Sequence, residues 1–344
     1  MGQSIVSYQV THDQFRELFQ MLTVTYRIYG PTLFVNKAEV SDCDYVGYRE
    51  LLSYDDLITN VKSYFSPKEA LFPPREVLFS FGSDHAIVPS DDLKPVIIFL
   101  RACDINGFDR LDTLFLQNGK DEDFYYKRRR DKVHFFLLEC AQSFDSCFCV
   151  SMNTNTTAKY DAAFRFTDES VFMQVNNSVF ESYLSIGELS DFMPRFVTEN
   201  KSTVPVPDAS IDEKIFFDPL WDEYSRRCIA CGRCNTSCVT CTCFTMQDYS
   251  TGSDTSERRR RWASCHVQGF TDMAGGHSFR KKHGEKMRFK TMHKISDFKR
   301  RFGINMCVGC GRCDDVCPEY ISFAECIRRV SKLSDQYKND TDKG

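Results

Sequence analysis

Cys228-Ile-Ala-Cys231-Gly-Arg-Cys234-Asn-Thr-Ser-Cys238 and Cys307-Val-Gly-Cys310-Gly-Arg-Cys313-Asp-Asp-Val-Cys317 are two copies of one phrase, and Pro318 follows the second. Three cysteines at two-residue intervals, with a fourth after three more, is the spacing that wraps a [4Fe–4S] cubane. Iron in such clusters takes soft thiolate ligands. The first three cysteines of a phrase embrace one cubane. The fourth points away and, in two-cluster domains, ligates the other. The spacing therefore predicts two [4Fe–4S] clusters. Cys228, Cys231, Cys234 and Cys317 hold the first; Cys307, Cys310, Cys313 and Cys238 hold the second. Gly232 and Gly311 stand at equivalent places, where backbone must come close to sulfur. Structural zinc is the competing reading, as part of a zinc-dependent binding module. Zinc sites usually show pairs of cysteines rather than two such quartets.

Working outward, 68 residues separate Cys238 from Cys307. A compact bacterial ferredoxin has much shorter spacing and uses hairpins. Here the flanks read as helical, for example Ser322–Leu333. The sequence predicts an α+β protein: a mixed α/β domain over residues 1–205, then a mainly α-helical two-cluster ferredoxin domain over 215–335. Lys201-Ser-Thr-Val-Pro-Val-Pro-Asp208 is the expected linker, because its two prolines interrupt any ladder.

In the first domain, Phe15, Leu18, Phe19 and Leu22 recur at helical spacing over 12–26. Pro95–Arg101 and Val133–Glu139 read as buried strands. Between them, Ile105, Phe108, Leu111, Leu114 and Phe115 mark one face of a helix over 104–117. Strand, helix, strand in this order predicts parallel neighbours. Residues 162–175 read as a hairpin.

Those parallel strands raise a further expectation. Cys103 follows one strand and Cys140 the other, so both thiols emerge at carboxyl ends, where open α/β sheets bind ligands. Cys147-Phe-Cys149 lies on the loop just beyond. Cys103, Cys140, Cys147 and Cys149 are the candidate ligands of a third [4Fe–4S] cluster, with Asp104 as a substitute. Buried apolar thiols are the alternative. Cys241, Cys243 and Cys265 read as sulfurs packed near the clusters, or as three ligands of a further site completed by His266 or His277. Cys43 and Cys326 read as core.

Composition closes several classes. Formal net charge is −4, so no global field argues for nucleic acid. The longest apolar runs are too short to span a bilayer. Seventeen cysteines without a visible export signal fit metal ligation in a reducing cytoplasm better than a disulfide framework. Residues 258–301 carry 14 Lys and Arg against 3 Asp and Glu. That segment reads as a docking face for an acidic partner, a field that favours reduced clusters, or a solvated face. No Gly-x-Gly-x-x-Gly marks a dinucleotide site. No nucleophile stands beside a base, so no catalytic residue is assigned.

Several further stretches act together. Arg101-Ala-Cys-Asp104, the helix bearing Leu111 and Phe115, Asp123-Phe-Tyr-Tyr-Lys-Arg-Arg129 and Cys147-Phe-Cys149 resemble one family's first domain. Cys241-Thr-Cys243, Arg261-Trp-Ala-Ser-Cys265 and Ala274-Gly-Gly-His277 extend the resemblance through the second. The family contains the A subunit of anaerobic sulfite reductase and the β subunit of cytosolic nickel–iron sulfhydrogenases. Val239 departs from it, since relatives carry proline there. The resemblance implies an iron–sulfur electron-transfer subunit of a cytoplasmic oxidoreductase complex. A flavin subunit that oxidises NADH or NADPH would supply the electrons. A sirohaem subunit reducing sulfite to sulfide would receive them, or, in the alternative, a nickel–iron hydrogenase.

Overall fold

The computed structural model describes residues 6–37, 43–82, 85–90, 94–208 and 211–341. The chain divides into two compact units. The first comprises residues 1–72, 91–144 and 154–200; the second comprises 73–90, 145–153 and 201–344. The second unit therefore draws on two insertions, 73–90 and 145–153, that a division near residues 205–215 leaves with the first domain.

The first unit is built on an eight-stranded mixed sheet. From edge to edge its strands are Glu188–Ser190, Val6–Val10, Val171–Val175, Ala162–Phe166, Val133–Leu138, Val96–Leu100, Arg27–Phe34 and Tyr45–Glu50. The central four, from Ala162–Phe166 to Arg27–Phe34, run parallel, and antiparallel strands flank them. Val96–Leu100 is buried along its whole length, as a central parallel strand covered on both faces must be. The helix Ala102–Asp112 follows it and passes into a wider π-turn over Thr113–Gln117. The predicted strand–helix–strand unit is thus present, and its strands pair in parallel. The hairpin 162–175 is also present.

The helix His12–Thr25 buries Phe15, Leu18, Phe19 and Leu22. Thr11 caps it by accepting from the Gln14 N–H, and the Gln14 side chain accepts from the Thr11 N–H in return. Phe15, Phe99, Phe136, Phe164 and Phe180 pack edge to face or tilted in the same core.

Helices carry both cysteine phrases in the second unit, yet it also holds a four-stranded antiparallel sheet that a mainly helical expectation omits. Its order is Phe244–Ser250, Ser256–Trp262, Arg75–Phe81 and Ala86–Ile87. The run Arg258–Arg261 lies in its second strand and is paired within the unit. Arg258 binds Asp248, Arg259 binds Glu257, and Arg261 donates to Gln247. Arg260 is buried with Glu76, its Nη2 2.7 Å from the Glu76 Oε2. These partners consume most of the charge that an acidic docking partner would need.

The helices Leu220–Arg227, His283–Met292 and Phe323–Thr341 supply the unit's main core, which includes Trp221, Met287, Ile295, Cys326 and Ile327. Gly284 lets two of these helices touch: a Cβ there would lie 1.9 Å from the Trp221 carbonyl oxygen. Cys326 is fully buried, as expected, but Cys43 is exposed rather than core.

Candidate iron–sulfur site

The two cysteine phrases adopt one backbone conformation. Ala230 and Gly309, each just before the second cysteine, have φ of 56° and 63°. Gly232 and Gly311, each just after it, have φ of 77° and 71°. Both glycines start short helices, Arg233–Thr236 and Arg312–Asp315. Ala230 pays the left-handed cost that Gly309 avoids. The turn directs backbone N–H groups at sulfur. Ala230 N donates to Cys228 Sγ at 3.4 Å, and Gly309 N donates to Cys307 Sγ at 3.4 Å. Ile321 N donates to Cys317 Sγ at 3.3 Å.

Cys228, Cys231, Cys234, Cys313 and Cys317 line a single cavity with Ile229, Met287, Lys290 and Ile321. Three of these cysteines come from the first phrase and two from the second, so the cavity brings the two phrases together. Burial pushes the Cys228 thiol up, against the Ala230 N–H, and Cys234, Cys231 and Cys317 add to the rise. Cys238 and Cys310 lie within electrostatic reach of Cys307. Burial pushes Cys307 up to about 12, with the Gly309 N–H opposing and Cys238 and Cys310 adding to it. Cys313 is raised well above the usual thiol range by burial, then by Asp314.

Two lysines on the helical segment between the phrases were not anticipated. Lys290 and Lys294 are 4% and 3% exposed. Lys290 faces thiols of both phrases. Burial alone would lower its ammonium, but Cys234, Cys313, Cys241 and Cys238 hold it well above its ordinary value. Lys294 behaves likewise beside Cys238, Cys241 and Cys307. Its Nζ donates to Thr240 Oγ1 at 2.6 Å and to Thr240 O at 3.0 Å, and lies 3.7 Å from Cys238 Sγ. Buried cations without carboxylates are costly unless anions face them. Here the facing groups are sulfurs.

His266 is also buried. Its Nδ1 lies 3.8 Å from Cys228 Sγ, and its Nε2 has no hydrogen-bond partner among the described residues. Burial, then Lys290 and Lys286, push its imidazole down to about 3, so it is neutral. His277 is exposed and stacks edge-on to Phe279. Cys243 and Cys265 touch: the Cys265 thiol donates to Cys243, which lowers Cys243. Asn235 Nδ2 in turn reaches Cys265 Sγ at 3.1 Å. These sulfurs pack beside the first phrase.

In the first unit, Cys103 opens the helix after one parallel strand, and Cys140 follows its neighbour. Cys140 Sγ lies 3.5 Å from the Gln142 carbonyl oxygen. Asp104 is fully buried. Cys147 and Cys149 belong to the second unit, where Phe148 N donates to Gly309 O at 2.7 Å and Cys147 Sγ lies 3.6 Å from Cys310 O.

Among the described residues, no three His, Cys, Asp or Glu side chains converge closely enough to hold a single metal ion.

Comparison with known proteins agrees. A model of the 4Fe–4S dicluster domain matches residues 227–321. The sulfhydrogenase 2 subunit β of Pyrococcus furiosus is 28% identical over 335 residues, covering 92% of this chain and 96% of that protein. The chain is thus similar to that β subunit over nearly its whole length. No solved structure matches it. The dicluster domain carries two [4Fe–4S] clusters. Among the described residues, no helix is long and apolar enough to cross a membrane.

Proposed function

We propose that this chain is the iron–sulfur electron-transfer subunit of a cytoplasmic anaerobic sulfite reductase complex. A flavin partner oxidising NADH or NADPH feeds it, and a sirohaem partner reducing sulfite to sulfide draws from it. The observation that supports the electron-transfer role is the cavity that Cys228, Cys231 and Cys234 of the first phrase share with Cys313 and Cys317 of the second. We assign Cys228, Cys231, Cys234 and Cys317 to one cluster. We assign Cys307, Cys310, Cys313 and Cys238 to the reciprocal site. The clusters supply one-electron chemistry when bound. The chain's own residues do the rest. The thiols ligate, N–H groups of Ala230, Gly309 and Ile321 bond to sulfur, and Lys290 and Lys294 set buried positive charge against the thiolates. Such bonds and charges tune a cluster's potential. The high thiol pKa values mean that loading releases protons, since iron binds the thiolate.

Iron and acid-labile sulfide analysis after anaerobic purification tests this reading. About eight irons per chain are expected from the dicluster domain, at four per cubane. Zinc without sulfide refutes it. A third cluster on Cys103, Cys140, Cys147 and Cys149 raises the count to about twelve. Replacing those four together then removes four irons, and a count of eight in the parent ends that part.

The relative from Pyrococcus furiosus favours a second reading, the β subunit of a sulfhydrogenase. Isolation of the native complex separates the two. Sirohaem absorbance with sulfite-dependent NADH oxidation supports the first. Nickel with hydrogen-dependent reduction supports the second.

A further inference from the structure

The second unit contains a polar cavity of about 300 Å³ that the cluster sites do not use. Thr271, Ser278, Arg280, Lys281, His283 and Lys286 line it, and Asp272 is the carboxylate among the lining residues. Three permanent cations against one anion leave the wall net positive. Lys286 is the telling group. It is 5% exposed, and its ammonium has no hydrogen-bond or ion-pair partner among the described residues. Its ammonium opens on this cavity, where an anion would meet it. Around it, Arg280 stacks its guanidinium 3.7 Å above the Phe289 ring, which fixes it on the wall. The ten-residue helix His283–Met292 also begins there, its first turn capped by Glu285, whose carboxylate accepts from the Lys282 N–H. Gly269 and Gly276, with φ of 90° and 76°, turn the backbone around the rim, and a Cβ at either would meet open space. Thr271 and Ser278 hydroxyls, 3.2 Å apart, complete a set of neutral donors.

We propose that this cavity binds a tetrahedral or pyramidal oxyanion, seated on Lys286 and Arg280. The chemistry is shared by an inorganic sulfur oxyanion and by the phosphate group of a nucleotide. Arg280 presents a planar fork to such a group, and Lys286 a point charge. The site also adjoins the first cysteine phrase. His283 Nδ1 bonds to the Cys228 carbonyl oxygen, and Lys286 lies within electrostatic reach of His266, whose Nδ1 faces Cys228 Sγ. A bound anion therefore changes the field at Cys228. The inference does not depend on which acceptor the electrons reach.

The test is calorimetric titration of the cluster-loaded chain with sulfite, inorganic phosphate and ADP in separate arms, at fixed ionic strength. One saturable site is expected. Lys286→Met and Arg280→Met, both verified for full iron content, should each weaken it by roughly thirtyfold or more, the loss typical of removing one partner from a buried charge contact. The electron paramagnetic resonance spectrum of the first cluster should change on saturation in the parent and not in Lys286→Met. Tightest binding of sulfite identifies a sulfur oxyanion, and tightest binding of ADP a nucleotide phosphate. No saturable binding in any arm, or equal binding by the parent and both variants, overturns the proposal. Should Lys286→Met lose iron, Arg280→Met decides alone.

Discussion

Replacing Lys294 by methionine removes a positive charge from beside Cys238 and Cys307 while keeping most of the side chain's volume. The direction of the effect follows from sign. Reduction adds an electron to an already negative cluster, and a nearby cation stabilises the reduced form more than the oxidised one. Loss of the cation should lower the second cluster's potential. The Lys294 Nζ stands 3.7 Å from Cys238 Sγ. At an effective dielectric of about 20, unit charges at that distance interact by roughly 4 kcal/mol. The added electron is spread over the cube, so ~6 Å is the fairer separation, and the term falls to roughly 3 kcal/mol. At ~59 mV for each tenfold change in a one-electron couple, that is a drop of about 120 mV. Thr240 O and Oγ1 lose a donor, at a cost of about 1–3 kcal/mol in stability, so iron content must be measured in parallel. Potentiometric titration followed by electron paramagnetic resonance is the assay. Lys294→Arg should retain most of the potential. Lys290→Met, by contrast, should lower both clusters, because Lys290 faces Cys234 and Cys313. A Lys294→Met potential within ~20 mV of the parent, far below the Coulomb estimate, would refute the argument.

Further outcomes concern stability. Arg260→Met should cost about 3–5 kcal/mol, because it takes from the buried Glu76 carboxylate the guanidinium that faces it, and Glu76→Leu added to it should recover much of the loss. Denaturant midpoints of the two variants decide this, and equal values would contradict it. In the first unit, burial raises Glu139, but Arg165 and Arg195 outweigh it and leave its carboxyl below the usual range. A depressed carboxylate contributes stability above its unfolded pKa, about 4.3, and loses it as pH falls through the folded value. Glu139→Gln should therefore be less stable than the parent at pH 7 by about 1.5–3 kcal/mol, and the gap should narrow as pH drops below that range. A gap that stays constant with pH excludes this linkage.

Much of this architecture is legible in the sequence, for identifiable reasons. Phe15, Leu18, Phe19 and Leu22 declare a helix because their period is helical, and Val96–Leu100 declares a strand because an unbroken apolar run of that length fits a buried one. The cysteine quartets name their cofactor because ligand spacing is set by the cubane rather than by the fold. What was missed depends on distant partners. Four consecutive arginines look like a solvated run. They form a strand because Arg75–Phe81 pairs with them, and Arg260 is buried because Glu76 is there to meet it. Lys290 and Lys294 show as surface lysines until the cysteines are counted as anions. Eight thiolates to be neutralised inside a core, with two lysines four residues apart flanked by Met287, Met292 and Ile295, was the available signal.

The strand that meets Arg260 lies 184 residues away in the chain. On the ribosome, Glu76 emerges long before its arginine, and the strand Arg75–Phe81 must wait with an open edge while the first unit's later strands are made. A fragment beginning at the prolines near residue 205 would keep both cysteine phrases yet leave Arg260 without its carboxylate and Ser256–Trp262 without its neighbour. The iron-binding half of this protein is thus not separable at the point where its sequence changes character. Its cofactor ligands are local, but the sheet in the same unit closes only once most of the chain has been synthesised.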